Sequence, residues 1–555
     1  MGRALTPRTS LDTLRKDAKR WLKALRAGDS AAKARLLAVW PGAPAEPGLR
    51  DAQHALALEY GCESWIALRA AIADLAVVRQ SRAEGVDQVL RHGWDGDVRV
   101  ARRMLDRYPE LARDSLFMAA SCGDLAEVER RLARDPEAAR TTAGSREWTA
   151  LAFVTYSRLD SENAVVIARR LLEAGADPNF RFDDGWGSPF KVLTGAIGLG
   201  EGAKPSHPQA LELVELLIEA GADPYDLQAL YDVSIVGEDT YWYDMLWRHC
   251  EARGRLEPWR VVGEGTLGGG MGVSTLDYLL GNAVGQNHLA RAEWLLARGA
   301  DPDTPHAYTR QPVLALAQLS GFLGLAALLE RHGARPAPLK GVQAFQAACL
   351  RLDETQARAL LAADPGLVND PAPLLSAAGF GNAPAVALLL SLGARATGLG
   401  HDGIGPLHGA VQSGSLETVN ALIAAGADVD LRERKWNGTP LSWAVVLGRP
   451  EAAERLAPLS RDVRALANLA ALDRLKAVLD DEPQLANHLL SNDDAPTPLF
   501  CLPDDEDAAV EVARILMQHG GDPAKRSGRG ETPADAARRR GLEEAAELME
   551  TGHDA

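Results

Sequence analysis

A few short stretches of this 555-residue chain combine residue types that do chemistry in other settings. Gly263-Glu264-Gly265-Thr266-Leu267-Gly268 spells G-x-G-x-x-G after Val261-Val262. In a dinucleotide site such glycines bring backbone N–H groups against a pyrophosphate, which requires a strand before them, a helix directly after, and a βαβ frame. Here Gly269, Gly270 and Gly272 follow, and the next helix is predicted only from about Ser274, so the stretch reads as a flexible loop between elements. Ser30-Ala31-Ala32-Lys33 fits S-x-x-K, but the K-T-G that completes an acyl-transfer site is missing. His249-Cys250 and His401-Asp402 are adjacent pairs, not ligands at i, i+4 on one helix face. G-x-S-x-G, H-E-x-x-H and P-loop patterns are absent from the sequence. No catalytic, cofactor-binding or metal-ligating residue is therefore assigned, no cofactor is expected, and the chain reads as a non-enzyme.

What remains is recognition chemistry. Trp148, Trp186 and Trp436 each lie just before a predicted helix, in segments rich in turn formers, and Arg434 stands beside Trp436. Tyr231, Tyr241, Trp242, Tyr243, Trp247 and Trp259 crowd another stretch. Exposed aromatics next to charges are frequent anchors of protein interfaces. Trp148, Trp186, Tyr241, Trp242, Tyr243, Trp247, Arg434 and Trp436 are accordingly the candidate partner-binding residues. The competing reading of the 241–247 cluster is that it fills an irregular junction. Trp294 and Trp443, within predicted helices, are expected in the core.

The elements that must position these residues recur. Leu171 to Asn179 reads LLEAGADPN, Leu216 to Pro224 LLIEAGADP, Leu295 to Pro302 LLARGADP, and Leu422 to Asp430 LIAAGADVD. Leu516 to Pro523 reads LMQHGGDP, and weaker copies start at Leu328 and Leu388. Each ends an amphipathic helix with a Gly suited to the left-handed C-cap, and a following Pro prevents continuation. A second ending uses Pro without the Gly: LDRYPELAR from Leu105, LARDPEAAR from Leu132, LAADPGLVN from Leu361 and LDDEPQLAN from Leu479. Gly333 lies 34 residues beyond Gly299, and Gly426 lies 33 beyond Gly393. A period of that size with helix-stop chemistry predicts stacked helical pairs.

The fullest copy, Asp402 to Asp430, reads DGIGPLHGAVQSGSLETVNALIAAGADVD. It resembles an ankyrin repeat at Asp402, Gly403, Pro406, Leu407, His408, Gly414, Glu417, Val419, Gly426, Ala427 and Asp428, with Gly405 where that family usually has Thr. Thr439-Pro440-Leu441, Thr497-Pro498-Leu499 and Thr532-Pro533 are related starts. The resemblance implies an all-α solenoid of about thirteen helix-turn-helix repeats with short β-hairpin-like tips. It also implies that His408 is structural, and that the chain is a protein–protein interaction scaffold holding a partner on its concave face. The array is placed at 85–550, with a degenerate, loop-extended repeat at 226–272, a polar insertion at 198–208 and a capping repeat at 529–550.

Residues 1–80 form a separate basic helical segment. Thirteen Lys/Arg against eight Asp/Glu give it +5 within a chain of net charge −16. A long acidic surface repels phosphate backbones, so generic nucleic-acid binding is not expected. Lys16, Lys19, Arg20, Lys23 and Arg26 make one basic helix face, the best starting point for a nucleic-acid adaptor reading. An enzyme or regulatory adaptor, with its active part in the N-terminal segment or in 226–272, is the alternative to the scaffold. The five cysteines are scattered without C-x-x-C, and no run of 18 apolar residues occurs. A monomeric protein of the bacterial cytoplasm, away from membranes, is expected.

Overall fold

Helices in this chain stop where the sequence cannot continue them. Leu416–Ala424 ends on Gly426 at φ +81°, a conformation that a Cβ penalises. The four Pro-type endings fold into one-turn 3-10 helices, Pro109–Arg113, Pro136–Arg140, Pro365–Asn369 and Pro483–Asn487. Each tucks one apolar residue back on its layer: Leu111, Ala139, Leu367 and Ala486 are buried. Helix starts use side-chain caps that satisfy the first N–H groups, such as Thr439 accepting from Ser442 and Ser274 accepting from Asp277.

The computed structural model describes residues 11–65, 67–68, 71–72, 82–94, 98–144, 146–159, 162–183, 189–200, 204–336, 338–400, 402–488, 497–528 and 530–552. Among them the protein is mostly helical. The strands form two hairpins, Thr142–Ala143 with Trp148–Thr149 and Arg181–Asp183 with Pro189–Lys191. None of the described helices is long and apolar enough to cross a membrane. Much of 65–77, the end of the basic helical segment expected over 1–80, lies outside the described residues.

The chain divides into two compact units, one made of residues 1–17, 56–316 and 324–336, the other of residues 18–55, 317–323 and 337–555. In the first, helical pairs follow one another: Leu116–Ser121 with Leu125–Arg134, Ala150–Tyr156 with Ala164–Glu173, and Val192–Ile197 with Ala210–Glu219. Leu227–Ile235 with Tyr241–Ala252 and Thr275–Gly285 with Leu289–Leu296 continue the series. The first helix of each pair packs on the first helix of the next. The second unit repeats the plan, for example in Ala372–Gly379 with Ala383–Ser391 and Pro406–Ser413 with Leu416–Ala424. Its core is Ala- and Leu-rich, which lets layers lie close. At the closest point a Cβ on Gly409 would sit 3.1 Å from the Gly379 nitrogen of the neighbouring helix.

One joint recurs between repeats in both units. Thr194 Oγ1 donates to Asp226 Oδ2 at 2.8 Å, and Asp226 in turn accepts the Ala229 N–H and caps the next first helix. Thr439 and Asp462 do the same, at 2.7 Å, ahead of Val463–Asn468. Both aspartates are buried, so each joint is a satisfied polar contact inside the stack.

A candidate binding cleft

In the first unit, hairpin tips and first helices surround a cleft of about 730 Å³. The hairpin Arg181–Lys191 contributes Phe182 and Phe190, stacked with centroids 5.7 Å apart. Helix Leu227–Ile235 contributes Leu227, Gln228, Tyr231 and Asp232, which share one helical face. Tyr278, from Thr275–Gly285, bonds its hydroxyl to that of Tyr308 at 2.8 Å. Tyr156 adds a further ring, held edge-on to Trp94 at 4.9 Å.

The glycine-rich stretch 263–272 is another wall of this cleft, through Leu267, Gly268, Gly270 and Met271. It lies between two helices as a loop, as its composition suggests, and neighbouring side chains bond to it. Tyr225 Oη accepts the Leu267 N–H at 2.9 Å, Thr275 Oγ1 donates to Leu267 O, and Arg310 donates to Met271 O at 2.8 Å. Gly268 stands at φ +85°, where a Cβ would lie 2.9 Å from Tyr278. Gly268 and Gly269 serve close packing, whereas Gly265, Gly270 and Gly272 have open space around them. Val261 and Val262 before them form no strand, so the βαβ frame of a dinucleotide site is missing here.

The polar insertion 198–208 is tied down by Arg158. Its guanidinium donates to Pro205 O and Gly195 O, each at 2.8 Å, and to the carbonyls of Thr155, Tyr156 and Ser157. Burial pushes this guanidinium down to about 10, so it stays charged at neutral pH. Beside it His207 is buried, and burial together with the Arg158 charge pushes its imidazole down to about 4. The insertion also presents Lys204, whose Nζ donates to Trp94 O at 3.1 Å, at the cleft. With Arg146 it supplies the cationic lining, while the Asp232 carboxylate accepts from Gln228 at 2.9 Å. Among the described residues the lining holds no His or Cys. Among the described residues no cluster of His, Cys, Asp and Glu could hold a metal ion. Aromatic faces, open glycine backbone and a few fixed charges are equipment for holding a ligand.

In the second unit one tip stands out. Glu433, buried, accepts the N–H groups of Lys435 at 2.6 Å, Trp436 at 3.0 Å and Gly438 at 2.9 Å. Burial acts to raise its carboxyl, but those N–H groups and nearby His408 outweigh it and hold it below the usual glutamate value. His408 Nε2 meets Gly438 O at 3.1 Å, and its Nδ1 accepts the Gly405 N–H. The tip is rigid, and Trp436 projects from it, 60% exposed, under the Lys435 ammonium.

The candidate contacts named from the sequence therefore separate. Trp148 is 2% exposed and packs on Phe153, Tyr156 and Phe182, so it is core and supports the cleft from behind. Trp242, Tyr243 and Trp247 are also buried. Trp247 packs on Trp259 and Trp294, and Tyr243 on Trp294 under Arg291, so this cluster fills the junction. Tyr241 stays 46% exposed. Arg434 donates its backbone N–H to Asp402 O and lies along Gly403. Trp186 is outside the described residues. The sequence reading missed the cleft-lining Tyr156, Phe182, Phe190, Tyr278 and Tyr308. Aromatics flanking turn residues at each predicted tip were the available signal.

Three copies of a family described as ankyrin repeats match residues 344–433 and 374–467. Residues 344–467 are ankyrin repeats. The matched repeats contain His408, the Glu433 tip and Trp436. Among solved structures, the protein matches one chain of the structure of a predatory endopeptidase from Bdellovibrio bacteriovorus in complex with an immunity protein. The two are 20% identical over 32% of this chain and 97% of that one, with a TM-score of 0.25. Among curated proteins none matches.

Proposed function

We propose that the protein is a non-enzymatic scaffold, a monomeric ankyrin solenoid of about thirteen repeats whose concave face holds a partner protein. The aromatic cleft of the first unit is the central docking site, and the Trp436 tip is a second contact. One observation carries the reading: the hairpin tips and first helices of successive repeats converge on a cleft of about 730 Å³ with six aromatic side chains besides Trp94 in its lining. Such a rigid surface gains affinity because little has to be ordered on binding. Ankyrin repeats generally act in this way. The cysteines form no disulfide, in keeping with a cytoplasmic setting.

The test pairs binding with stability. Affinity capture from the native cell would be done with wild type and with Tyr231→Ala and Trp436→Ala. A partner retained by wild type and lost from Tyr231→Ala at unchanged melting temperature is expected. Equal capture by wild type and both variants would remove both sites from the interface.

A further inference from the structure

The basic N-terminal segment has no role in the scaffold reading, yet its fold assigns it one. Helix Leu11–Arg26 buries Ala18, Trp21, Leu22 and Leu25 and turns a row of cations outward. Trp21 Nε1 donates to Ala32 O at 3.1 Å, and Arg35 stacks on the same ring at 3.6 Å, so residues 18–39 form a small hairpin. Within the second unit this hairpin and the helix Leu49–Glu59 meet the last helix of the chain, Glu543–Thr551. Lys19 Nζ lies 2.6 Å from Glu547 Oε2. The Arg50 N–H donates to Glu544 Oε1 at 3.0 Å, so a carboxylate from the C-terminus caps a helix of the N-terminus, 494 residues away. The Arg50 guanidinium stands 3.8 Å from Asp505 and 3.6 Å from Asp507. Lys19, Leu22, Lys23, Leu49 and Glu547 line one crevice, so apolar and ionic contacts alternate along the joint.

We propose that the acidic face of the terminal helix Glu543–Thr551 is a binding surface for a basic amphipathic helix, and that residues 18–55 are its resident, detachable occupant. Charge complementarity argues for this occupant. The segment is net positive in a chain that is otherwise strongly acidic, and its cations face the Asp505, Asp507 and Glu547 carboxylates, while Glu544 accepts the Arg50 backbone N–H. The ionic part of the joint is its salt-sensitive part. The Lys19 and Arg50 side chains are 44% and 60% exposed, and ion pairs in such positions are weak and screened by salt. The same engagement turns part of the basic face that a nucleic-acid adaptor would need onto the protein's own C-terminus. An open clasp frees both that face and the end of the repeat stack, which couples partner access to ionic conditions.

Hydrogen exchange on the full-length chain tests the proposal in 18–26, 50–55 and 545–549. Lys19→Glu and Glu547→Lys should each speed exchange about fivefold in both elements, the mutated one and its mate. The double variant, with the charges swapped, should restore protection. Circular dichroism and melting of the repeats report whether either variant has lost its fold, and Lys19→Glu lies outside the repeats. Faster exchange confined to the mutated element, or a double variant as labile as the single ones, would overturn the docking. Protection that grows with protein concentration would overturn its intramolecular assignment, since the occupant would then come from a second copy.

Discussion

Two tryptophans in equivalent tips have opposite environments, and their substitutions should separate accordingly. Trp148→Ala removes a buried ring from among Phe153, Tyr156 and Phe182 and should cost about 3–5 kcal/mol. Trp436→Ala should change stability by no more than about 0.5 kcal/mol. At the partner surface the same change should weaken binding by about 2 kcal/mol. Urea unfolding of both variants checks the first pair of values, and equal losses would contradict the burial difference. Gly426→Val meets no atom within 4 Å, so its cost is conformational alone, about 1–2 kcal/mol. Unchanged melting would show that Gly426 is not held at positive φ. The left-handed caps were legible because a local rule decides them. The fate of Trp148 was not, because Tyr156 and Phe182, brought alongside by the fold, decide whether a tip ring folds down.

Between elements, the acidic run Asp504 to Asp507 precedes a helix and by its spacing alone would cap that helix and face solvent. Asp505 does so, accepting the Ala508 N–H at 3.0 Å. Glu506 instead turns inward and accepts the N–H groups of Glu543, Glu544 and Ala545 at 2.8–3.0 Å, capping the final helix. Burial, with the Glu544 charge adding to it, raises this carboxyl to about 7 despite those N–H groups. Because the folded-state value lies above the unfolded one, the contribution is fully present below an ordinary glutamate pKa. It is lost as pH rises through about 7. Relative to Glu506→Gln, wild type should therefore lose stability between pH 5 and pH 8, as read by urea unfolding at several pH values. Parallel profiles would place the carboxylate in solvent. Helix ends, Pro turns and the terminal pair of helices could be read from spacing; a cap supplied by a different helix leaves no local pattern.

For the molecule as a whole, contacts between neighbouring layers carry the stability, so damage should stay local. Hydrogen exchange in Gly426→Val should rise in the helices between Pro406 and Leu456 and stay unchanged around the Tyr278–Tyr308 pair of the other unit. A uniform rise would mean that the repeats unfold as one block. Purified protein is expected to carry no stoichiometric zinc and to show no thermal shift with NAD; a shift abolished by Gly265→Val would reinstate the dinucleotide reading. Periodicity made the helical layers and the ankyrin character readable from the sequence. The cleft was not readable, because Tyr156, Phe182, Tyr231, Tyr278 and Tyr308 come from separate repeats and share no spacing.

The rigid tip around Glu433 has an optical consequence. Among the described tryptophans, Trp21, Trp65, Trp148, Trp242, Trp247 and Trp259 are buried and Trp40, Trp94, Trp294 and Trp443 half-buried, whereas Trp436 stands in water. Its emission should lie at the red edge of the protein's spectrum and be the first to be quenched by acrylamide. A partner covering the tip would shift that component to the blue and shield it. The unlabelled protein thus carries its own reporter, able to follow occupancy of that tip in real time.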